Sequence, residues 1–179
     1  MMKSKKPSLE FGAPERIDIL NKDLKRREKG KKLRCITLAV NDSVKEPTVV
    51  LYTDGACLGN PGPGGWGAVV FEEGEKKLLH GGENNTTNNR MEITAVIEAL
   101  KILPTGIDVK IYSDSTYVIN TMTKNWKRKK NQDLWILLDS EAALRNLEWE
   151  WVKGHSGDEF NEEADRLAYQ EASKVAKEK

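Results

Sequence analysis

Residues 49–71 read VVLYTDGACLGNPGPGGWGAVVF and carry the strongest structural signal in the chain. Two apolar runs flank a segment of Gly, Pro and Asn, the pattern of two strands joined by a turn-rich connection. Asp54 interrupts the first run, just after Val49, Val50, Leu51 and Tyr52. A carboxylate inside an apolar strand is costly unless a partner replaces the water it loses. The chemistry of the chain follows from what that partner is.

Working outward, strand-like runs cover 48–57, 65–72 and 76–82. NNRMEITAVIEALKIL (88–103) has the helical period, with Met91, Ala95, Ala99 and Ile102 on its apolar side. Asn88 or Asn89 suits its cap, and Pro104 and Gly106 end it. IDVKIYS (107–113) reads as a fourth strand and 115–123 as a helix. KNWKRKKNQ (124–132) is a basic loop, 133–146 a helix, LEWEWVK (147–153) a strand, and a last helix begins at Glu159. Three meandering strands followed by alternating helix and strand predict an α/β layer fold with a mixed sheet. Toward the N-terminus, Pro14–Lys29 has the charge order of a helix, with acids early and bases late. LRCITLAV (33–40) reads as a strand and NDSVKEP (41–47) as a turn or linker. The expected division is an N-terminal extension, 1–46, and a main domain, 47–179.

The 179 residues suit one domain with an appendage; 32% are charged and 38% hydrophobic, the balance of a soluble protein. No apolar run approaches the ~20 residues that span a bilayer, so no membrane partner is expected. The N-terminus lacks the apolar core of a secretory signal. Cys35 and Cys57 stand in unrelated contexts. That argues against a disulfide framework and fits a reducing cytoplasm. Neither cysteine has a partner at zinc-ligand spacing, and His80 and His155 are far apart. The net charge of +1 conceals an asymmetry: residues 1–47 hold 13 Lys and Arg against 7 Asp and Glu, and the remainder 16 against 21. A basic arm precedes an acidic body.

Four acids stand at informative places. Asp54 breaks a strand, Glu92 opens the central helix, Asp114 follows the fourth strand, and Asp165 lies in the last helix beside Leu167 and Ala168. Most acids in any protein are solvated surface groups; Asp54 and Asp114, set in or after apolar strands, depart from that expectation. If their strands are neighbours, the two carboxylates meet. Unit charges ~4 Å apart repel by about 4 kcal/mol at an effective dielectric of ~20. A cluster of such groups must protonate or bind cations. Oxygen-only ligands favour magnesium or manganese.

YTDGACLGNPGPGGWGAV, TTNNRMEITAVIEAL, SDSTYVI and WVKGHSGDEFNEEADRLA together resemble, in order, the signature blocks of type 1 ribonuclease H, over about residues 48–172. The resemblance implies a ribonuclease H-like fold, a five-stranded mixed sheet flanked by helices. It implies an endoribonuclease that hydrolyses the RNA strand of RNA–DNA hybrids with two Mg2+ ions, Mn2+ being a possible substitute. It carries the catalytic, metal-binding carboxylates onto Asp54, Glu92, Asp114 and Asp165, and proton or product handling onto His155. By the same resemblance Asn60, Asn88 and Asn89, with backbone near Cys57, contact the RNA strand, and Thr87 and Arg90 hold a DNA phosphate. The family often has Gln two residues after the third aspartate, where this chain has Thr116.

Other motifs are weaker. GPGGWG (62–67) matches a dinucleotide fingerprint only in letters, because a strand follows it rather than a helix. GHSGD offers Ser156 beside His155 but no strand–elbow–helix setting for a nucleophile. Amides in ENNTTNNR (83–90) suit helix capping and also suit the 2′-hydroxyl that separates RNA from DNA. Five cations surround Trp126 in 124–132, a composition that meets phosphates and sugars in a nucleic-acid enzyme. Against the family this segment looks shortened. The basic arm fits non-specific phosphate attraction, an added structural or dimer element, or a tail; protein partners are unknown. Two rival readings are a catalytically silent hybrid-binding module and a related polynucleotidyl transferase acting on DNA.

Overall fold

The alternating apolar residues of 49–57 form β1 (Val49–Cys57), and the turn-rich segment after it folds back into β2 (Gly62–Glu72) and β3 (Glu75–Thr86). In this computed structural model, which describes residues 49–178, α1 (Asn88–Lys101), β4 (Asp108–Ser113), α2 (Thr116–Thr123), α3 (Gln132–Ala142), β5 (Asn146–Trp151) and α4 (Glu159–Lys177) follow. The expected helix at 14–29, strand at 33–40 and linker at 41–47 lie outside the described residues. Among the described residues no helix is long and apolar enough to cross a membrane.

The five strands lie in the order β3-β2-β1-β4-β5. The meander β1–β2–β3 is antiparallel, while β1–β4 and β4–β5 are parallel, so the sheet is mixed as expected. Parallel neighbours need crossover connections, which α1 and the α2–α3 segment supply.

The period-2 alternation sends the two faces of the sheet to two layers. Val49, Leu51, Val70, Val109 and Ile111 pack with Ile93, Val96, Ile97 and Leu100 of α1, Val118 of α2, and Leu134, Trp135 and Leu138 of α3. Each fully buried side chain of this size contributes about 1.5–3 kcal/mol relative to exposure. The other face, with Tyr52, Val69 and Phe71, packs on Ala164 and Leu167 of α4. Close approach of α4 is possible because β2 carries glycine where the helix crosses: a Cβ at Gly65 or Gly67 would collide with α4 backbone.

Several boundaries differ from the sequence reading. β2 begins at Gly62 rather than 65, which shortens the connection to Leu58–Pro61. β3 continues through Gly81–Thr86 rather than stopping at 82. It is an edge strand, so Asn84 and Asn85 meet water and Glu83 is partly exposed, while Thr86 turns inward and the backbone pairs with β2. The α1 N-cap is Thr87, without a side-chain bond, not Asn88 or Asn89. Ile102, expected on the apolar side of that helix, is its C-cap and about half-exposed, whereas Met91, Ala95 and Ala99 are buried. The helix expected to run to 146 ends at Ala142. Arg145 is buried there, donating to the carbonyls of Leu103, Pro104 and Glu141, and turns the chain into β5.

Candidate active site

The parallel register of β1 and β4 builds the site. Val49 pairs with Val109 and Tyr52 with Tyr112, a constant offset of 60 residues. The same offset, carried two residues past the last pair, sets Asp54 opposite Asp114. α1 brings Glu92 to the same end of the sheet. Its first turn can lie against β1 only because residue 55 is glycine: a Cβ there would collide with the backbone N of Glu92. α4 delivers Asp165 from the other face. Asp54, Glu92, Asp114, Asp165 and His155 line one open pocket with Cys57, Asn88 and Tyr169, among others.

Their electrostatic surroundings differ. Asp54 is 8% exposed. Burial first, and then the Asp114 carboxylate, push its pKa up to about 8, with Asp165 and Glu92 adding to the effect; a hydrogen bond from the N–H of Gly55 (2.7 Å) works the other way. Glu92 is also raised, mainly by burial, although Ser115 Oγ (2.6 Å) and Asn88 Nδ2 (2.9 Å) both donate to it. Asp114 accepts from Asn161 Nδ2 (3.3 Å), and its backbone carbonyl accepts from Trp151 Nε1 (3.1 Å). The Gly154 backbone abuts the Asp114 carboxylate so closely that a Cβ would strike Oδ2. His155 is 80% exposed and sits with φ of 51°; its Nδ1 lies 3.7 Å from Asp165 Oδ2. The carboxylates surround the pocket without closing on a point: among the described residues no three His, Cys, Asp or Glu groups stand close enough to cage an ion.

The RNase H family profile matches residues 46–173. The chain belongs to the ribonuclease H family. It is 52% identical over 136 residues to the Ribonuclease H of Dechloromonas aromatica, covering 69% of this chain and 92% of that one. It is 48% identical over 133 residues to the Ribonuclease HI of Pseudomonas aeruginosa, covering 67% and 90%. Among solved structures, the N-terminal RNase H domain of a Mycobacterium tuberculosis protein superposes with a TM-score of 0.65 at 29% identity, over 74% of this chain and 98% of that one. LC11-RNase H1, solved in complex with an RNA/DNA hybrid, gives a TM-score of 0.63 at 27% identity, over 72% and 99%. The ribonuclease H fold expected from the sequence is the fold observed, and the chain is an enzyme of this metal-dependent nuclease family.

The other residues singled out in the sequence divide into two groups around the ribonuclease H pocket. Cys57 and Asn88 line it. The Cys57 thiol donates to the carbonyls of Gly59 (2.6 Å) and Thr86 (3.4 Å). Asn60 is exposed in the β1–β2 connection, Thr87 precedes α1, and Asn89 is exposed on its first turn. Arg90 makes a bidentate pair with Asp133 at 3.1 and 2.8 Å. Trp126 is half-exposed in the basic loop, where Lys124, Lys127, Lys129 and Lys130 are exposed. Arg128 of that loop is turned to Asp139 and lies 5.0 Å from the Trp135 ring. Ser115, Asn161 and the Gly154 backbone also touch the carboxylates, contacts that the sequence pattern does not signal. Asn and Ser at helix starts read as ordinary caps, so pattern alone gave them no distinct signal.

Proposed function

We propose that the chain is an endonuclease that hydrolyses the RNA strand of RNA–DNA hybrids, leaving 5′-phosphate and 3′-hydroxyl ends. The observation that carries this reading is the single pocket lined by Asp54, Glu92, Asp114 and Asp165, with Asp54 pushed up to about 8 by burial and its neighbours. An all-oxygen donor set with a carboxylate that resists ionising fits hard divalent cations. Asp54, Asp114, Glu92 and Asp165 would hold two Mg2+ ions, with Mn2+ a substitute. Bound there, the cations supply neutralisation of the phosphodiester and activation of the attacking water.

The protein's own groups do the rest. Ser115 and Asn88 hold the Glu92 carboxylate by donating to one oxygen each. His155, exposed and next to Asp165, takes or delivers a proton at Nδ1 or Nε2. Asn60, Asn88, Asn89 and the backbone at Cys57 face the RNA strand and its 2′-hydroxyls. Thr87 and Arg90 hold a phosphate of the DNA strand; Trp126 and the exposed lysines beside it meet the duplex backbone. Residues 47–179 form the catalytic domain and 1–46 an extension, in a cytoplasmic protein.

The test is cleavage of a hybrid labelled on its RNA strand, with and without Mg2+. The expected result is magnesium-dependent cutting of the hybrid but not of duplex DNA, lost in Asp54→Asn while hybrid binding survives. Magnesium-dependent turnover in that variant removes Asp54 from the chemistry. Binding without cleavage by the wild type supports a silent module instead.

A further inference from the structure

Asn161 lies in the first turn of α4 and is 2% exposed. Its Nδ2 donates to Asp114 Oδ2, while its Oδ1 is buried with no protein partner. The helix start that carries it is firmly held. Asp158 Oδ1 accepts from the backbone N–H of Phe160 and of Asn161, both at 3.1 Å, and Glu162 Oε1 accepts from that of Gly157 at 3.0 Å. Asp114 is therefore approached from three directions: by Trp151 of β5 at its carbonyl, by the Gly154 backbone at its carboxylate, and by the Asn161 amide.

The residue type is informative. A lysine or arginine here would neutralise Asp114 and compete with any cation. An aspartate would add a fifth carboxylate against it. An apolar side chain of similar branching would avoid burying an unpaired amide oxygen, which is a destabilising feature. Asparagine alone of these orients Asp114 without changing the charge of the pocket. Its presence is explained by the site rather than by the stability of the fold.

We propose that Asn161 is a positioning residue: through its Nδ2 contact it fixes the rotamer of Asp114 so that the carboxylate is directed toward the divalent cations. This rests on the metal-binding reading given above. Groups that orient a metal ligand change metal affinity by about 10–100-fold when removed.

The test is Asn161→Leu in the full chain, with Asn161→Ser as a smaller second variant in case leucine does not fit. Three quantities are read: the melting temperature without metal, the Mn2+ dissociation constant by calorimetry, and kcat and KM on a hybrid. The expected result is a folded variant that binds Mn2+ about tenfold or more weakly. Its kcat falls, its KM for the hybrid stays near the wild-type value, and raised Mg2+ restores part of the rate. A folded variant with wild-type Mn2+ affinity and wild-type kcat overturns the inference alone. A wild-type protein that binds neither Mn2+ nor Mg2+ overturns the metal reading, and this inference with it.

Discussion

Asp54 in the metal-free protein prefers to keep its proton. Its pKa is raised from 3.8 to about 8 by burial, by Asp114 and by its other acidic neighbours. The folded state thus holds a proton that the unfolded state releases as pH rises through about 4. Where the native state binds more protons, stability falls with pH, by at most about 1.4 kcal/mol per pH unit for one group. This contribution is fully present below pH ~4 and is lost progressively up to about pH 8. Glu92, also raised, adds with the same sign. Asp54→Asn removes the titration. In a chelator, the variant should melt above the wild type at pH 7–8 by at least about 1 kcal/mol, and the gap should close toward pH 4. Equal melting at pH 8 would contradict the assignment of strain to Asp54. His155→Ala should slow turnover while leaving some activity; an unchanged rate across pH removes His155 from proton handling. At this scale the carboxylates were legible because Asp54 breaks an apolar run and Asp114 directly follows one. Asn161 and Ser115 were not, because their burial and partners come from chain segments far away in sequence.

Two elements matter more than the rest for assembling the pocket. α1 reaches Glu92 into place across Gly55, so Gly55→Ala should displace its first turn. Overpacking of this kind costs about 1–3 kcal/mol, and hybrid cleavage should drop with it; a variant with wild-type stability and rate would show that the approach of α1 to β1 is not needed. α2 is coupled to the site through its N-cap. Ser115 Oγ accepts from Val118 N (3.2 Å) while donating to Glu92. Ser115→Ala should lose about 1 kcal/mol as a missing cap and reduce activity less than Glu92→Gln does, which thermal melting and initial rates would check. Element types were legible from periodicity; the ends were set by tertiary partners. The end of α3 is governed by the buried Arg145 and its three carbonyls, and β3 is prolonged by pairing with β2 despite its polar sequence. The Leu103 and Pro104 carbonyls are distant in sequence from Arg145, and the start of β2 is distant from the end of β3 that it pairs with, so neither end could be read locally.

For the whole molecule, the mixed sheet with α1–α3 on one face and α4 on the other is what lets side chains from β1, α1, β4 and α4 share one pocket. The order of the four signature blocks made that architecture legible; which small residues permit it was not, since a glycine in a strand says only that something comes close. Hybrid affinity should fall with salt as phosphate-held counterions compete, and a chain beginning at Pro47 should still cleave, with a shallower salt slope if the +6 arm meets phosphates. Loss of cleavage on removing residues 1–46 would place part of the catalytic domain in the extension. In the proposed pocket, divalent cations offset the charge of the four ionised carboxylates, so their binding should displace the Asp54 proton. Calorimetric titration of Mg2+ near pH 7, in two buffers of different ionisation enthalpy, reads it directly. Binding should be accompanied by proton release, and that release should vanish in Asp54→Asn. Binding with no proton release, or release unchanged in that variant, would contradict this linkage.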